Sequence, residues 1–313
     1  MKTSGFSRRT VANFLVTVFI AAFLACCSSL PEQAPMGTCA VEMPQSHPYS
    51  PGILGAGFRY SVQGPLLDPG PRYWVYTGKS MASKFERAVP QGVWIVSHYN
   101  GKGTRFTFPG TSGNEDILFS SKERNEEALS LFDRQGIQVW LQIEPGQAPV
   151  EELLRIVLQR YGHHPCVIGV GIDVEWYCTE RFAGEGFIAD EDAMSWVKTV
   201  RSFNPDYWLF LKHWEVSKMP PNYRYGIVFV DDGQQFHSLE ALSTQFTAWG
   251  RAFYPAPVAF QYGYPSDRVW WERLSNPADE IGRQILACVP NAGGLFWVDF
   301  TVLDVFPPVQ NYY

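Results

Sequence analysis

No Cys-x-x-Cys spacing occurs in this chain, so a cysteine-held zinc ion is not expected. No Gly-x-Gly-x-x-Gly or Gly-x-x-x-x-Gly-Lys-Ser/Thr run follows the first apolar stretch, which removes the main support for a nucleotide-binding sheet. Cations are in the minority: 25 Lys and Arg against 31 Asp and Glu leave a net charge of -6. That balance argues against nucleic acid or an anionic membrane surface as a partner. Repeats and low-complexity segments are missing too.

Aromatic residues are plentiful, at 15% of the chain with 11 Trp. Part of them belongs to a core, and part suits a cleft on which sugar rings stack. The N-terminus has its own pattern. Lys2, Arg8 and Arg9 precede an apolar run from Val11 to Ala25, and Cys26, Cys27, Ser28 and Ser29 follow. Basic, then apolar, then small residues make an export signal over 1–25, too short and wrongly flanked for a membrane span. "FLACC" resembles a bacterial lipobox, which makes Cys26 the expected lipidation site. Residues 26–52, with Pro31, Pro35, Pro44, Pro48 and Pro51, read as a tether. Export permits disulfides, and Cys39, Cys166, Cys178 and Cys288 leave their pairing open. The expected setting is the cell envelope through a lipid anchor, or secretion without one. The membrane would be met only through that anchor, and the protein is expected to be a monomer.

Residues 53–313 have about the length of one (β/α)8 barrel. Eight short apolar runs qualify as strands: Ile53–Ser61, Val93–Asn100, Ile137–Glu144, Val167–Trp176, Tyr207–Trp214, Tyr225–Asp232, Val258–Tyr264 and Gly294–Thr301. Helical spacing appears over Ser121–Gln135, Val150–Tyr161, Asp190–Phe203, Ser238–Ala252 and Asn276–Cys288. Pro65 to Pro71 reads as a loop, so the first crossover gives little helical signal. Alternating strands and helices in this length favour a single TIM barrel over an open sheet.

Within "VIGVGIDVEW" the period of two assigns Ile168, Val170, Ile172, Val174 and Trp176 to one face. Val167, Gly169, Gly171, Asp173 and Glu175 fall on the other. The apolar face belongs under helices, so Asp173 and Glu175 should point into the barrel at its C-terminal end, where such barrels build active sites. The same parity sends Gln142 and Glu144 inward, and Trp297 and Asp299 inward, with Phe296, Val298 and Phe300 outward. Arg59, Gln261, either Lys212 or His213, and either Asp231 or Asp232 complete a polar ring. Trp176 should pack outward while Tyr177 reaches the mouth. Buried charges are expensive, so a ring of them at one end marks a site rather than a core. Two close carboxylates resist joint ionisation. Glu175 is therefore the expected proton donor and Asp173 its orienting partner, the arrangement glycosidic cleavage needs. Glu144 offers a base or nucleophile.

"GIDVEW" resembles the end of the fourth strand in the glycoside hydrolase 18 class, the chitinases and endo-β-N-acetylglucosaminidases, whose motif is DxxDxDxE. The resemblance implies a TIM barrel in which Glu175 protonates the leaving oxygen and Asp173 positions a substrate N-acetyl group. Ile168 and Gly171 stand where the motif has its two earlier aspartates. "VFVDD" is similar to that class's sixth-strand MxYD, with Val230 in place of the tyrosine, and "GLFWVDF" to its eighth, where a residue like Trp297 floors the sugar subsite. The glycoside hydrolase 25 lysozymes also end their fourth strand in DxE, with an aspartate on the first strand where this chain has Arg59.

The sequence thus predicts an exported glycosidase acting on a polysaccharide or amino-sugar glycan. Arg59, Lys212, His213, Asp231, Asp232, Gln261, Trp297, Asp299 and Tyr177 would contact the substrate, with no cofactor and no metal. The alternative is a glycan-binding surface lipoprotein whose barrel has lost its chemistry. His163 and His164, before the fourth strand, belong at the barrel bottom; Trp270 and Trp271 suit a cleft or a helix core equally.

Overall fold

The computed structural model describes residues 53–178 and 186–308. The export segment, Cys26, Cys39 and the tether lie outside the described residues. Strands β1 (Gly55–Tyr60) and β2 (Val89–Ile95) begin a barrel. Three short strands, β3 (Ser97–Tyr99), β4 (Thr104–Phe106) and β5 (Ile117–Phe119), form a side sheet in the next connection. The barrel continues through β6 (Gln138–Ile143), β7 (Val167–Asp173), β8 (Trp208–Lys212), β9 (Ile227–Asp231), β10 (Val258–Tyr262) and β11 (Ala292–Trp297). All eight barrel strands run parallel, and β1 closes the ring between β2 and β11. The chain is therefore a single TIM-type barrel.

Helices α1 (Pro71–Ala82), α2 (Glu126–Gln135), α3 (Val150–Tyr161), α4 (Asp190–Phe203), α5 (Leu239–Phe253), α6 (Arg268–Trp271), α7 (Pro277–Cys288) and α8 (Val302–Val305) occupy the crossovers and the end of the fold. The β8–β9 connection carries only a 3-10 turn, Val216–Lys218. Helix α1 fills the stretch that gave little helical signal. Pro71 opens it, its fixed φ suiting a first turn, and its Gly78 rests against the Phe58 ring. Helix α2 starts at Glu126 rather than at Ser121; Asn125 precedes it, with its side chain held by Trp94, Thr107 and Tyr161. Ser238 caps α5 by accepting the Ala241 N–H at 3.2 Å.

Two packed cores follow from strand parity. Outward residues such as Phe58, Leu141, Ile172, Leu211, Phe229, Phe260 and Trp297 meet the helices. Inward, Val93, Trp140, Phe210, Val228, Val230, Ala259 and Phe296 fill the lower half of the barrel. Gly171 is required there, since a Cβ would sit 1.9 Å from the Phe210 ring. An apolar cavity of about 190 Å³ opens at the lower end beside Trp140, Phe210 and Phe296.

Two parity expectations are corrected. Ile168 turns inward with this lower core, where the β6–β7 register slips beside Val139. In β11 the faces are exchanged: Phe296 points inward, whereas Trp297 packs outward, edge-on to Trp271 at 5.4 Å and Tyr262 at 5.4 Å. Its indole N–H donates to Thr301 Oγ1 at 2.9 Å. Trp297 is fully buried, so it offers no floor to a sugar.

Candidate active site

Above the apolar half, the interior turns polar at the C-terminal ends of the strands. Asp173 and Lys212 are register partners on β7 and β8. Lys212 Nζ lies 3.0 Å from Asp173 Oδ2 and forms a second ion pair with Asp232. Gln142 Nε2 donates to Asp173 Oδ2 at 3.1 Å. The Tyr264 hydroxyl donates to Asp232 Oδ2 at 3.4 Å. Burial opposes the Lys212 charge, yet Asp173 and Asp232 more than offset it and hold its pKa well above the ordinary value.

A second pair closes the barrel seam. Arg59 on β1 binds Asp299 after β11, with Nε donating at 3.0 Å. Ser61 adds its N–H at 2.8 Å and its hydroxyl at 2.6 Å to the other Asp299 oxygen. Both Asp299 oxygens are thus committed to β1, and the group is fully buried. It latches the first and last strands and leaves no face for substrate.

Asp231 and Asp232 separate as neighbours on a strand must. Asp231 faces outward, accepting the Gly233 N–H at 2.8 Å and the Gln245 amide at 3.3 Å. Asp232 faces the polar chamber. Gln261 also points inward, and among the described residues neither of its amide atoms has a hydrogen-bond partner. His213 follows β8; its Nδ1 accepts the Glu215 N–H at 2.9 Å and its ring stacks on Trp214 at 4.2 Å. Burial lowers its pKa to about 4, so it is neutral at pH 7.

Glu175 does not sit on a strand. β7 ends at Asp173, and Val174–Trp176 form a 3-10 turn. A 3-10 turn advances about 120° per residue, against 180° in a strand. Consequently Trp176 and Tyr177 exchange their expected places. Trp176 stacks on Tyr99 of β3 at 5.1 Å, while Tyr177 packs edge-on against Trp196 of α4 at 5.3 Å. Glu175 still shares the chamber's electrostatics. Burial first, then the Asp173 charge, raises its pKa to about 7, against the pull of Lys212.

Glu144 follows β6 and is held by the side sheet. Tyr99 N–H donates to its Oε2 at 2.6 Å, and its own N–H donates to Ser97 Oγ at 3.2 Å. Burial, followed by the Asp173 charge, raises it to about 7 as well. Asp173 itself is raised to about 6 by burial, with Lys212 opposing and Asp232 adding. Glu144, Asp173 and Glu175 all respond to Lys212 and Arg59, and a bridge between Gly146 and Tyr177 ties the two segments together. Three carboxyls in one chamber thus titrate between about 6 and 7, and their titration belongs to the group. Asp173→Asn is expected to lower the apparent pKa of both Glu144 and Glu175, read as carboxyl carbon shifts against pH by NMR. Unmoved titrations in that variant would separate the three groups.

Glu175 lines a cleft of about 450 Å³ with Trp214, Gln234, Gln235, Phe236 and Gln245. Those residues, with Tyr264 and Tyr99, are not among the substrate contacts expected from the sequence. Trp214 and Tyr264 end runs that were recognised as strands, which was the available signal. The Gln234–Gln235 pair follows β9 in an irregular loop and gave none. Trp271 is buried and donates its indole N–H to Tyr264 O at 3.0 Å, and Trp270 donates to Phe236 O at 3.0 Å, so both pack within the fold. The described residues include two groups with metal-ligating atoms, Glu126–His163–His164 and Asp133–His164–Cys166, around the residues that lead into β7. There His164 Nδ1 meets Asp133 Oδ2 at 2.6 Å. Among the described residues, Cys166, Cys178 and Cys288 are free thiols.

No family model matches the chain, and no curated protein matches it. Among solved structures it is similar to a putative alpha-L-fucosidase from Bacteroides thetaiotaomicron VPI-5482, with a TM-score of 0.48 and 10% identity over 85% of this chain and 91% of that one. It is also similar to Bacteroides uniformis beta-glucuronidase 2, with a TM-score of 0.47 and 15% identity over 79% of this chain and 30% of that one. A third is an uncultured Clostridium sp. beta-glucuronidase, at 0.44 and 11% identity over 78% of this chain. The chain spans 43% of that enzyme's length. These neighbours are glycosidases, and no residue role is carried over from them. Nothing among the comparisons points to the glycoside hydrolase 18 class in particular.

Proposed function

We propose that the chain is a glycoside hydrolase, with Glu175 as general acid, Glu144 as base or nucleophile and Asp173 as the group that sets the protonation of both. The observation that carries this reading is Glu175 itself: a carboxyl raised to about 7 on the wall of a cleft lined by an indole, a phenyl ring and glutamine amides. A general acid works best with its pKa near the working pH. Aromatic faces and amides suit the faces and hydroxyls of a sugar ring.

The two-carboxylate route is preferred over substrate assistance. Asp173 is tied to Lys212 and Gln142 through Oδ2, with Oδ1 unengaged among the described residues, whereas Glu144 is fixed by Ser97 and Tyr99 and titrates near 7. The carboxyl separation then sets the stereochemistry, about 5 Å for retention and about 6.5–9.5 Å for inversion. The N-terminal pattern supports a site displayed outside the cytoplasm, anchored through Cys26.

The test is hydrolysis of chitooligosaccharides, peptidoglycan and neutral plant and microbial polysaccharides by the full chain, with products read by mass spectrometry. Cleavage of one class supports the reading and names the substrate. Tight binding of one glycan with no cleavage of any would replace it with the binding-lipoprotein alternative.

A further inference from the structure

A second concave site lies beside the side sheet. A pocket of about 410 Å³ is lined by His98, Arg105, Thr107, Ser120 and Arg124, among others. His98 and Arg105 are direct cross-strand partners on β3 and β4. A protonated His98 would repel the guanidinium so placed, which favours the neutral ring. Burial, then Arg105 and Arg124, keeps the His98 pKa below its ordinary value, leaving a neutral ring. Its Nδ1 is buried and has no hydrogen-bond partner among the described residues.

Neither cation is neutralised, and Arg105 is held in place. Arg105 Nη1 donates to the Phe119 carbonyl at 3.2 Å, which fixes the guanidinium plane. Among the described residues no carboxylate forms an ion pair with Arg105 or Arg124. Ser120 Oγ accepts the Lys122 N–H at 3.1 Å, so its own proton remains to be donated. A fixed guanidinium, a second one, a serine hydroxyl and an imidazole on one pocket wall offer the donor set that an oxyanion accepts.

We propose that this pocket is an oxyanion subsite that takes a carboxylate or sulfate carried by the glycan. The proposal rests on the hydrolase reading for its glycan, though not for its chemistry. Its link to the reaction chamber is the strand β3 itself: His98 stands between Ser97 and Tyr99, the two residues that hold Glu144. An acidic substituent seated here would place the chain relative to that carboxyl.

The test measures binding of a uronate oligosaccharide, a sulfated oligosaccharide, their neutral counterparts and free inorganic sulfate to the full-length Glu175→Gln protein. Calorimetry at low and high salt gives the affinities, and the His98 ring signals give a second readout. One or both acidic oligosaccharides should bind more tightly than the neutral ones, and His98 should titrate at higher pH when they are bound. Arg124→Ala should weaken that binding by about tenfold or more, as expected for a lost charge-assisted contact. Arg124 is exposed and makes no hydrogen bond within the described protein, so this variant tests the site without loosening the sheet; Arg105→Ala extends the test. Equal affinity for free sulfate and sulfated oligosaccharide would overturn the glycan assignment in favour of a free-anion site. Cleavage of a neutral glycan by the wild type, with no acidic one bound, overturns the subsite and leaves the hydrolase standing. Acidic binding that depends on Arg124, without cleavage of any glycan, keeps the subsite and removes the hydrolase.

Discussion

Glu175→Gln is expected to lower glycan turnover by about 10²–10⁴-fold, the range that a positioned general acid supplies. The amide keeps the shape of the side chain and its place in the cleft but has no proton to give. Substrate binding should therefore change little, and the loss should fall on kcat. In the wild type the acid must be protonated, so activity should decline as pH rises through about 7, the level to which burial and Asp173 bring Glu175. Asp173→Asn should move that alkaline limb to lower pH. The substitution should change stability in the opposite sense to activity. A carboxyl whose folded pKa lies above its unfolded value costs stability as pH climbs from the unfolded pKa through the folded one. Replacing Glu175 by Gln removes that cost, so the melting temperature of the variant relative to wild type should rise from pH 5 to pH 8. A variant that loses turnover and melts lower at every pH would instead mark Glu175 as a structural residue.

The barrel was legible in the sequence because its strands are short apolar runs punctuated by helices, and that pattern survives without knowledge of register. Parity also held where strands stay regular, as at Gln142 on β6 and Gln261 on β10. It failed at strand ends. Glu175, Trp176 and Tyr177 follow the 3-10 turn after β7, where a period of two no longer applies. Along β11 the faces are the reverse of what the sequence predicts, because apolar Phe296 and Val298 read as a helix-facing set. The interior of this barrel is apolar in its lower half, so Phe296 belongs there and Trp297 beneath the helices. The ion pairs were not legible either. Which base meets which acid depends on the β7–β8 register and on how loops close over β1, and single-chain spacing records neither. Asp299 shows the consequence: its residue type suggested substrate contact, while its bonds to Arg59 and Ser61 make it a seam latch.

Lys212→Met is expected to destabilise the fold by about 3–5 kcal/mol at pH 7, the usual result of removing one partner from a buried ion pair. Met fills most of the Lys stem, so the loss is electrostatic rather than a cavity. What remains is Asp173 and Asp232, both almost fully buried, without the cation between them. Asp173, already at about 6, would rise further, and Glu175 would rise too, because Lys212 lowers both. The destabilisation should accordingly shrink toward pH 5, where Asp173 and Glu175 can neutralise themselves by taking up protons. Urea titrations at the two pH values read that difference. A second substitution separates charge from packing: adding Asp232→Asn to Lys212→Met removes one orphaned carboxylate and should recover part of the loss, a coupling that two contacting residues show and distant ones do not. If the double variant is no more stable than Lys212→Met and the penalty is the same at both pH values, the Lys212 side chain stabilises the barrel by packing alone. The carboxyls of the chamber would then owe their raised pKa values to burial and to one another.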